Sequence, residues 1–208
     1  MGMVVDGNTV YIMTANFTLS ALGGSSSTRN REYGIIDSNL QDVQAVSDIF
    51  NADWNRTGVH FGDPNLVISP INSRNAFLSL INSAHRVLVI EAEEMNDTNI
   101  EQALVSAAQR GVHIQIILPA SSASSGDSNS QGIQTIRQGN VQVREDTHLY
   151  MHAKVIVVDG QRAFVGSENI SAASLDQNRE LGIIISDPNV LSTLQQTFQG
   201  DWQDSHGV

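Results

Sequence analysis

IVVDGQRAFVGSENI, residues 156–170, stands against MVVDGNTVYIMTANF, residues 3–17, with Asp159 on Asp6, Gly160 on Gly7 and Asn169 on Asn16. The apolar positions fall in the same register. Two further matches follow in the same order. Asn178-Arg179-Glu180-Leu181-Gly182-Ile183 answers Asn30-Arg31-Glu32-Tyr33-Gly34-Ile35, and Phe198-Gln-Gly-Asp-Trp202 answers Phe50-Asn-Ala-Asp-Trp54. Three ordered matches predict an internal repeat, which sets the architecture before any single motif is weighed. Residues 1–58 read as the C-terminal part of a first repeat and residues 59–208 as a complete second one.

Within the second repeat, residues 66–69 and 86–92 are rich in β-branched side chains and predict strands, while 72–84 and 96–110 carry apolar residues at helical spacing. Gly111 ends the second helix and residues 112–118 resume a strand. Pro119 and the serine-rich run 121–130 then predict a loop, either the edge of a cleft or a solvated connection. A short helix over 131–138 and a strand over 141–144 come next. A hairpin of 155–158 and 162–165 turns at Asp159-Gly160, and a strand covers 181–186. Val190, Leu191, Leu194, Phe198 and Trp202 mark an amphipathic helix that closes over the sheet. Strands alternating with helices predict an α/β sandwich, a mixed sheet with helices on both faces. Trp54 and Trp202, in matching registers, are expected as core anchors.

Composition narrows the function. At 208 residues, 40% hydrophobic and 16% charged, the chain can bury a sizeable core. It has no cysteine, which excludes disulfides and thiolate metal sites. A net charge of -11 disfavours broad binding to nucleic acid or an anionic membrane, which relies on clustered lysine and arginine. A local cationic pocket is compatible with that charge. No apolar run approaches the roughly 18 residues of a membrane span. Nothing in the composition assigns a compartment.

The chemistry gathers in one stretch: His152-Ala-Lys154, then Asp159, then Gly166-Ser167-Glu168-Asn169, then Glu180. His152 and Lys154 are two apart on a strand and project from the same face, so they can share one ligand. An ammonium beside an imidazole suits a phosphodiester, because it holds the non-bridging oxygens and offsets the charge gathering in the transition state. Ser167 and Asn169 add neutral donors at the same spacing. Glu180 is expected to accept the other ring proton of a histidine, fixing its tautomer. Asp159, at an Asp-Gly turn, is assigned a structural role, with Gly166 and Asp6 as the other structural members of the motifs.

These residues resemble the phospholipase D superfamily signature, HxKxxxxD followed by GSxN, complete in spacing over His152, Lys154, Asp159, Gly166, Ser167 and Asn169. The resemblance implies the phospholipase D sandwich. It also implies a phosphodiesterase or phosphatidyltransferase that works through a phosphohistidine and needs no metal or other cofactor. Two histidines are implied, one attacking phosphorus and one protonating the leaving oxygen. Aligned on Asp6, the lysine of a first HxK falls at Met1 and its histidine before the chain. Thr14, Asn16 and Glu32 correspond to Ser167, Asn169 and Glu180, with Thr14 and Asn16 expected to bind phosphate and Glu32 to orient. Three explanations compete for the second histidine: a fragment completed by an N-terminal segment, a homodimer that joins two copies of His152, or an inactive remnant that binds without turnover. A phospholipid headgroup is favoured as substrate over nucleic acid on grounds of charge, with a dimeric nuclease as the alternative.

Other readings are weaker. The HxxxH spacing of His148 and His152 would suit zinc, but Lys154 and the strand context oppose it. A Ser167, His152, Asp159 triad lacks the GxSxG elbow. Glu91, Glu93 and Glu94 are expected to be solvated or to cap the helix near Asp97. His60, His85, His113 and His206 are expected to be structural.

Overall fold

In the computed structural model, which describes residues 1–24, 29–60, 62–120 and 128–208, the chain opens with a hairpin of β1 (Gly2–Val5) and β2 (Thr9–Met13). Asp6 and Gly7 both take positive φ there, the conformation an Asp-Gly pair adopts with least strain. The short β3 (Asn30–Arg31), β4 (Gly34–Asp37) and helix α1 (Leu40–Asn55) follow. β2 pairs antiparallel with β1 on one side and β4 on the other. Asn39 caps α1, its side chain accepting from the Gln41 N–H.

The rest of the chain runs β5 (Leu66–Ser69), α2 (Ser73–Asn82), β6 (Val87–Ala92), β7 (Met95–Asn96), α3 (Thr98–Gln109) and β8 (His113–Pro119). It continues with α4 (Ser130–Gln138), β9 (Gln142–Asp146), β10 (Tyr150–Met151), β11 (Lys154–Val158), β12 (Arg162–Gly166) and β13 (Ile170–Ser171). It ends with α5 (Ala172–Asp176), β14 (Glu180–Ile185), α6 (Pro188–Asp204) and β15 (His206–Gly207). Every expected strand and helix of this half is present. Residues 121–127 of the serine-rich run lie outside the described residues.

Eight strands form one mixed sheet in the order β15-β9-β8-β6-β11-β12-β14-β5. β6, β8 and β9 are parallel, and β11, β12, β14 and β5 continue antiparallel. Alternation along β11 splits the interior into two layers. Ile156 and Val158 face Phe77, Leu80, Ile100 and Leu104 of α2 and α3, whereas Val155 and Val157 face Leu191, Leu194 and Phe198 of α6. The expected sandwich is therefore observed. The first segment is docked on it: Val10, Ile12, Val43 and Ile49 share a third core with Leu66, Ile68 and Ile183.

The same order of hairpin, strand and helix occurs at β1, β2, β4, α1 and at β11, β12, β14, α6, with Asp159 and Gly160 also at positive φ. The surroundings differ, and this corrects the expectation for Trp54. α6 lies over the wide sheet, where Trp202 packs on Phe198 and beneath the Arg144 guanidinium, 4.6 Å from the ring centroid. α1 rests on a narrower layer, so Trp54 is 76% exposed and stacks only on the exposed Phe50. His60, His85, His113 and His206 are also on the surface rather than in the core.

Two acids inside the fold carry opposite pH signatures. The Asp159 carboxylate accepts the backbone N–H groups of His85, Arg86 and Val87 at 2.8–2.9 Å, tying the β11–β12 turn to the start of β6. Burial alone would raise its pKa, but these bonds outweigh burial and hold the carboxyl below its ordinary value. Glu168 is buried behind Gly166 and Gly182, with neither oxygen hydrogen-bonded among the described residues. A Cβ on Gly166 or Gly182 would come within 2.5 or 2.8 Å of its Oε2, so only glycine leaves room. Burial pushes the Glu168 carboxyl up to about 8.

Asp159→Asn should lower unfolding free energy by about 1–2 kcal/mol at neutral pH in urea titration, the scale of weakened charge-assisted bonds. The loss should shrink as pH falls through the depressed pKa, where wild type also loses the charge. Glu168 predicts the reverse slope. Neutral in the folded chain and ionised in the unfolded one, it makes stability fall as pH rises from its ordinary 4.5 to about 8. Glu168→Gln should flatten that part of the stability–pH curve.

Candidate active site

A two-residue parallel pairing builds the centre. β10 pairs with β3 so that Tyr150 lies opposite Asn30 and Met151 opposite Arg31. The next step along both chains brings His152 beside Glu32. His152 Nδ1 lies 2.8 Å from Glu32 Oε1 and 3.0 Å from Oε2, across a sequence separation of 120 residues. Thr14 Oγ donates to the same carboxylate at 2.6 Å and Asn30 Nδ2 at 3.1 Å. Burial would raise the Glu32 pKa, but the bonds from His152, Thr14 and Asn30 outweigh it, so the group is held below the usual carboxylate range and stays ionised.

The flanking residues are anchored as well. Arg31 makes a bidentate pair with Asp201 of α6, both bonds 2.6 Å, and Tyr33 donates its hydroxyl to the buried Glu91 of β6. Burial pushes Glu91 up to about 8, partly countered by the Tyr33 bond, and its Oε1 has no hydrogen-bond partner among the described residues. Three consecutive residues of the first segment therefore each place a polar side chain into the second.

Lys154 is 4% exposed at the start of β11, on the same face as His152 as the period-two spacing requires. Its Nζ donates to the His152 carbonyl at 2.9 Å and lies 3.2 and 3.3 Å from the two ring nitrogens. Its charge partner is Glu93, whose Oε2 is 2.8 Å away. The same oxygen lies 3.3 Å from His152 Nε2 and accepts from Asn169 Nδ2 at 3.4 Å, while Tyr150 donates to Oε1 at 3.1 Å. Burial would raise the Glu93 pKa, but Lys154 outweighs it and keeps the carboxyl below its ordinary range. Burial and the adjacent Glu93 push the Tyr150 phenol up to about 12.

Several assignments change. Glu180, expected to hold a histidine ring, accepts from Ser167 Oγ at 2.6 Å, and Glu32 is the carboxylate on His152. Ser167 and Thr14, expected to face phosphate, each donate to a carboxylate and each accept from the backbone N–H of the residue after that acid, Leu181 and Tyr33 respectively. The cause is local: a hydroxyl one strand away from an acid reaches it at 2.6 Å. Asn169 does reach the cluster, and its Oδ1 is buried without a hydrogen-bond partner among the described residues. Asn16 is exposed, and Asp6 sits in the exposed hairpin turn.

The alternatives fail on contacts. Asp159 is occupied by backbone N–H groups, so no Ser167–His152–Asp159 triad forms. His148 stacks its ring on His206, with centroids 6.2 Å apart. The cap of α3 is Asp97 itself, through the Ile100 N–H, rather than one of the glutamates, and Glu91 and Glu93 are drawn inward rather than solvated. Glu93 and Tyr150 were not foreseen as site residues. The signal for Glu93 was a second acid, one position beyond the end of a buried strand, Val87–Ala92, that already carries Glu91. It becomes meaningful only through the β6–β11 register, which sets Ala92 opposite Lys154.

Comparison with known proteins agrees with this geometry. Residues 77–202, more than half the chain, match the family described as "Cardiolipin synthase, PLD-like domain". The chain is 30% identical over 133 residues to mitochondrial cardiolipin hydrolase of Chlamydomonas reinhardtii, covering 62% of this chain and 57% of that protein. It is 36% identical over 111 residues to phospholipase D Z of Dictyostelium discoideum, covering 50% and 26%. The chain thus spans little more than half of the first relative and about a quarter of the second. The crystal structure of Nuc, a phospholipase D family member from Salmonella typhimurium, superposes with a TM-score of 0.64 at 26% identity, covering 69% of this chain and 95% of that one. With the paired His152 and Lys154 on a mixed-sheet sandwich, these matches place the chain in the phospholipase D-like family.

Proposed function

We propose that this chain supplies a phosphohistidine-forming half-site, with His152 as nucleophile in hydrolysis or transfer of a phosphodiester. The observation that carries the reading is the Glu32–His152 contact. A carboxylate at Nδ1 holds that proton in place and leaves the Nε2 lone pair free, with the Lys154 ammonium 3.2 and 3.3 Å from the two ring nitrogens. In the reaction, the Nε2 lone pair forms a bond to phosphorus while the bond to the leaving oxygen breaks. Lys154 offsets charge on the non-bridging oxygens. The leaving oxygen takes a proton from a second acid; water or an alcohol then gives a proton back to that group as it attacks phosphorus, and the bond from phosphorus to His152 Nε2 breaks. No metal is required in this scheme.

The second acid is a histidine from an N-terminal complement or from another copy of the chain. Matched contacts support this reading, since Glu180 with Ser167 repeats the arrangement of Glu32 with Thr14. Glu180 then stands ready for the second ring as Glu32 does for the first. Surface character supports it too. Met3, Val5, Ile36, Leu40, Phe50 and Trp54 of the first segment are exposed, and β1 and β4 pair only with β2 among the described residues. Residues 1–58 thus act as the end of a first repeat. A phospholipid headgroup is the favoured substrate, on the net charge of -11 and the cardiolipin hydrolase named among the relatives. A dimeric nuclease is the second reading, favoured by the likeness to Nuc over 95% of that chain. No helix among the described residues is long and apolar enough to cross a membrane.

Hydrolysis of bis(p-nitrophenyl) phosphate tests the reading. Expected are turnover that persists in EDTA, a p-nitrophenyl phosphoryl adduct on His152 after alkaline quench, and loss of at least about a thousandfold in His152→Asn. Loss on chelation with recovery on zinc, or an adduct on another residue, would contradict it. If two copies of His152 make one site, mixing wild type with His152→Asn should depress activity by more than dilution. If an N-terminal complement is needed, activity should appear only on adding an HxK-bearing segment.

A further inference from the structure

Glu93 is unused by the mechanism above, yet its Oε2 gathers the Lys154 ammonium at 2.8 Å, His152 Nε2 at 3.3 Å and Asn169 Nδ2 at 3.4 Å. Lys154 and Asn169 are the donors that a non-bridging phosphate oxygen would use, and His152 Nε2 is the atom that phosphorus must approach. One anionic oxygen already sits at their convergence. We infer that Glu93 is a specificity-determining residue that occupies the phosphate position as an internal carboxylate, so that substrate must displace it to bind. This inference rests on the phosphodiesterase reading and adds a competitor to that site.

The local structure fits a side chain that moves on a fixed backbone. Asn129 pins the chain just after the residue, donating to the Glu93 carbonyl at 3.0 Å and accepting from the Met95 N–H at 2.9 Å, and the pairing of Ala92 with Lys154 holds it just before. Displacement is therefore a rotation about side-chain bonds, away from Lys154, and requires no loop opening. Tyr150 holds the second oxygen at 3.1 Å, at an exposed position beside the site, and so marks the direction from which the carboxylate is released. The consequence is selective. A weakly charged or poorly fitting anion cannot replace a carboxylate bound to a nearly buried ammonium, whereas a phosphate that engages Lys154 and Asn169 together can.

The test is binding of inorganic phosphate to the full chain, followed by titration calorimetry, for wild type, Glu93→Gln and Glu93→Ala. Loss of the competing charge should tighten phosphate by about tenfold or more in both variants, the factor given by a lost charge-assisted bond of about 1.4 kcal/mol. Adding Lys154→Ala to Glu93→Ala should abolish the gain. Melting temperatures show whether each variant is folded, and the near-isosteric glutamine serves if the alanine variant is not. Equal or weaker binding in Glu93→Gln overturns the inference and makes Glu93 a helper of the site. If that occurs while Lys154→Ala still abolishes phosphate binding to the wild type, the phosphodiesterase reading stands without the competitor. If no variant binds phosphate and Lys154→Ala changes nothing, the inference fails together with that reading.

Discussion

The contact between Glu32 and His152 is the constraint around which the rest of the site is arranged. An imidazole without a partner at Nδ1 can carry its proton on either nitrogen and can turn about its side-chain bonds. Here the partner comes from a segment 120 residues away in sequence, brought in by the two-residue pairing of β3 with β10. So short a pairing cannot hold register alone. Arg31 and Tyr33 on either side supply the rest, one through the bidentate bonds to Asp201 and the other through the hydroxyl bond to Glu91. Removing one partner of such a buried pair leaves the other uncompensated, which makes these contacts decisive for position whatever their net contribution to stability.

The site is acidic for a place that is to receive an anion. Glu32, Glu93 and Glu180 lie around it, and Glu91 and Glu168 are buried nearby. Their states differ, and that difference resolves the conflict. Glu32 and Glu93 are held ionised by donors, whereas Glu91 and Glu168 are pushed by burial to about 8 and are largely neutral near pH 7. The charge left to repel phosphate is thus smaller than the count of carboxylates suggests. Part of what remains is the Glu93 charge, the one that would leave with displacement.

Much of this was legible in the sequence. The β11–β12 hairpin, the shared face of His152 and Lys154, the layers around the sheet and the structural use of Asp159 follow from period-two spacing and an Asp-Gly turn, both local properties of the chain. What could not be read were choices set by strand neighbours. Whether Glu32 or Glu180 meets His152 depends on which segment pairs beside β10. Whether Glu93 is solvated or paired depends on the β6–β11 register. Trp54 and Trp202 share a motif position, but the layer beneath each helix decides that one is exposed and the other packed. Sequence periodicity gives the face of an element and is silent about the width of what that face meets.

Nitrogen-15 NMR of the His152 ring tests the central claim most directly, because it reads the ring without requiring turnover. The account predicts a proton fixed on Nδ1 and protected from solvent exchange in the wild type, with that protection lost and the tautomers mixed in Glu32→Gln. A ring whose Nδ1 carries no protected proton, or whose spectrum is the same in Glu32→Gln, would contradict the assembly of the site from the two segments.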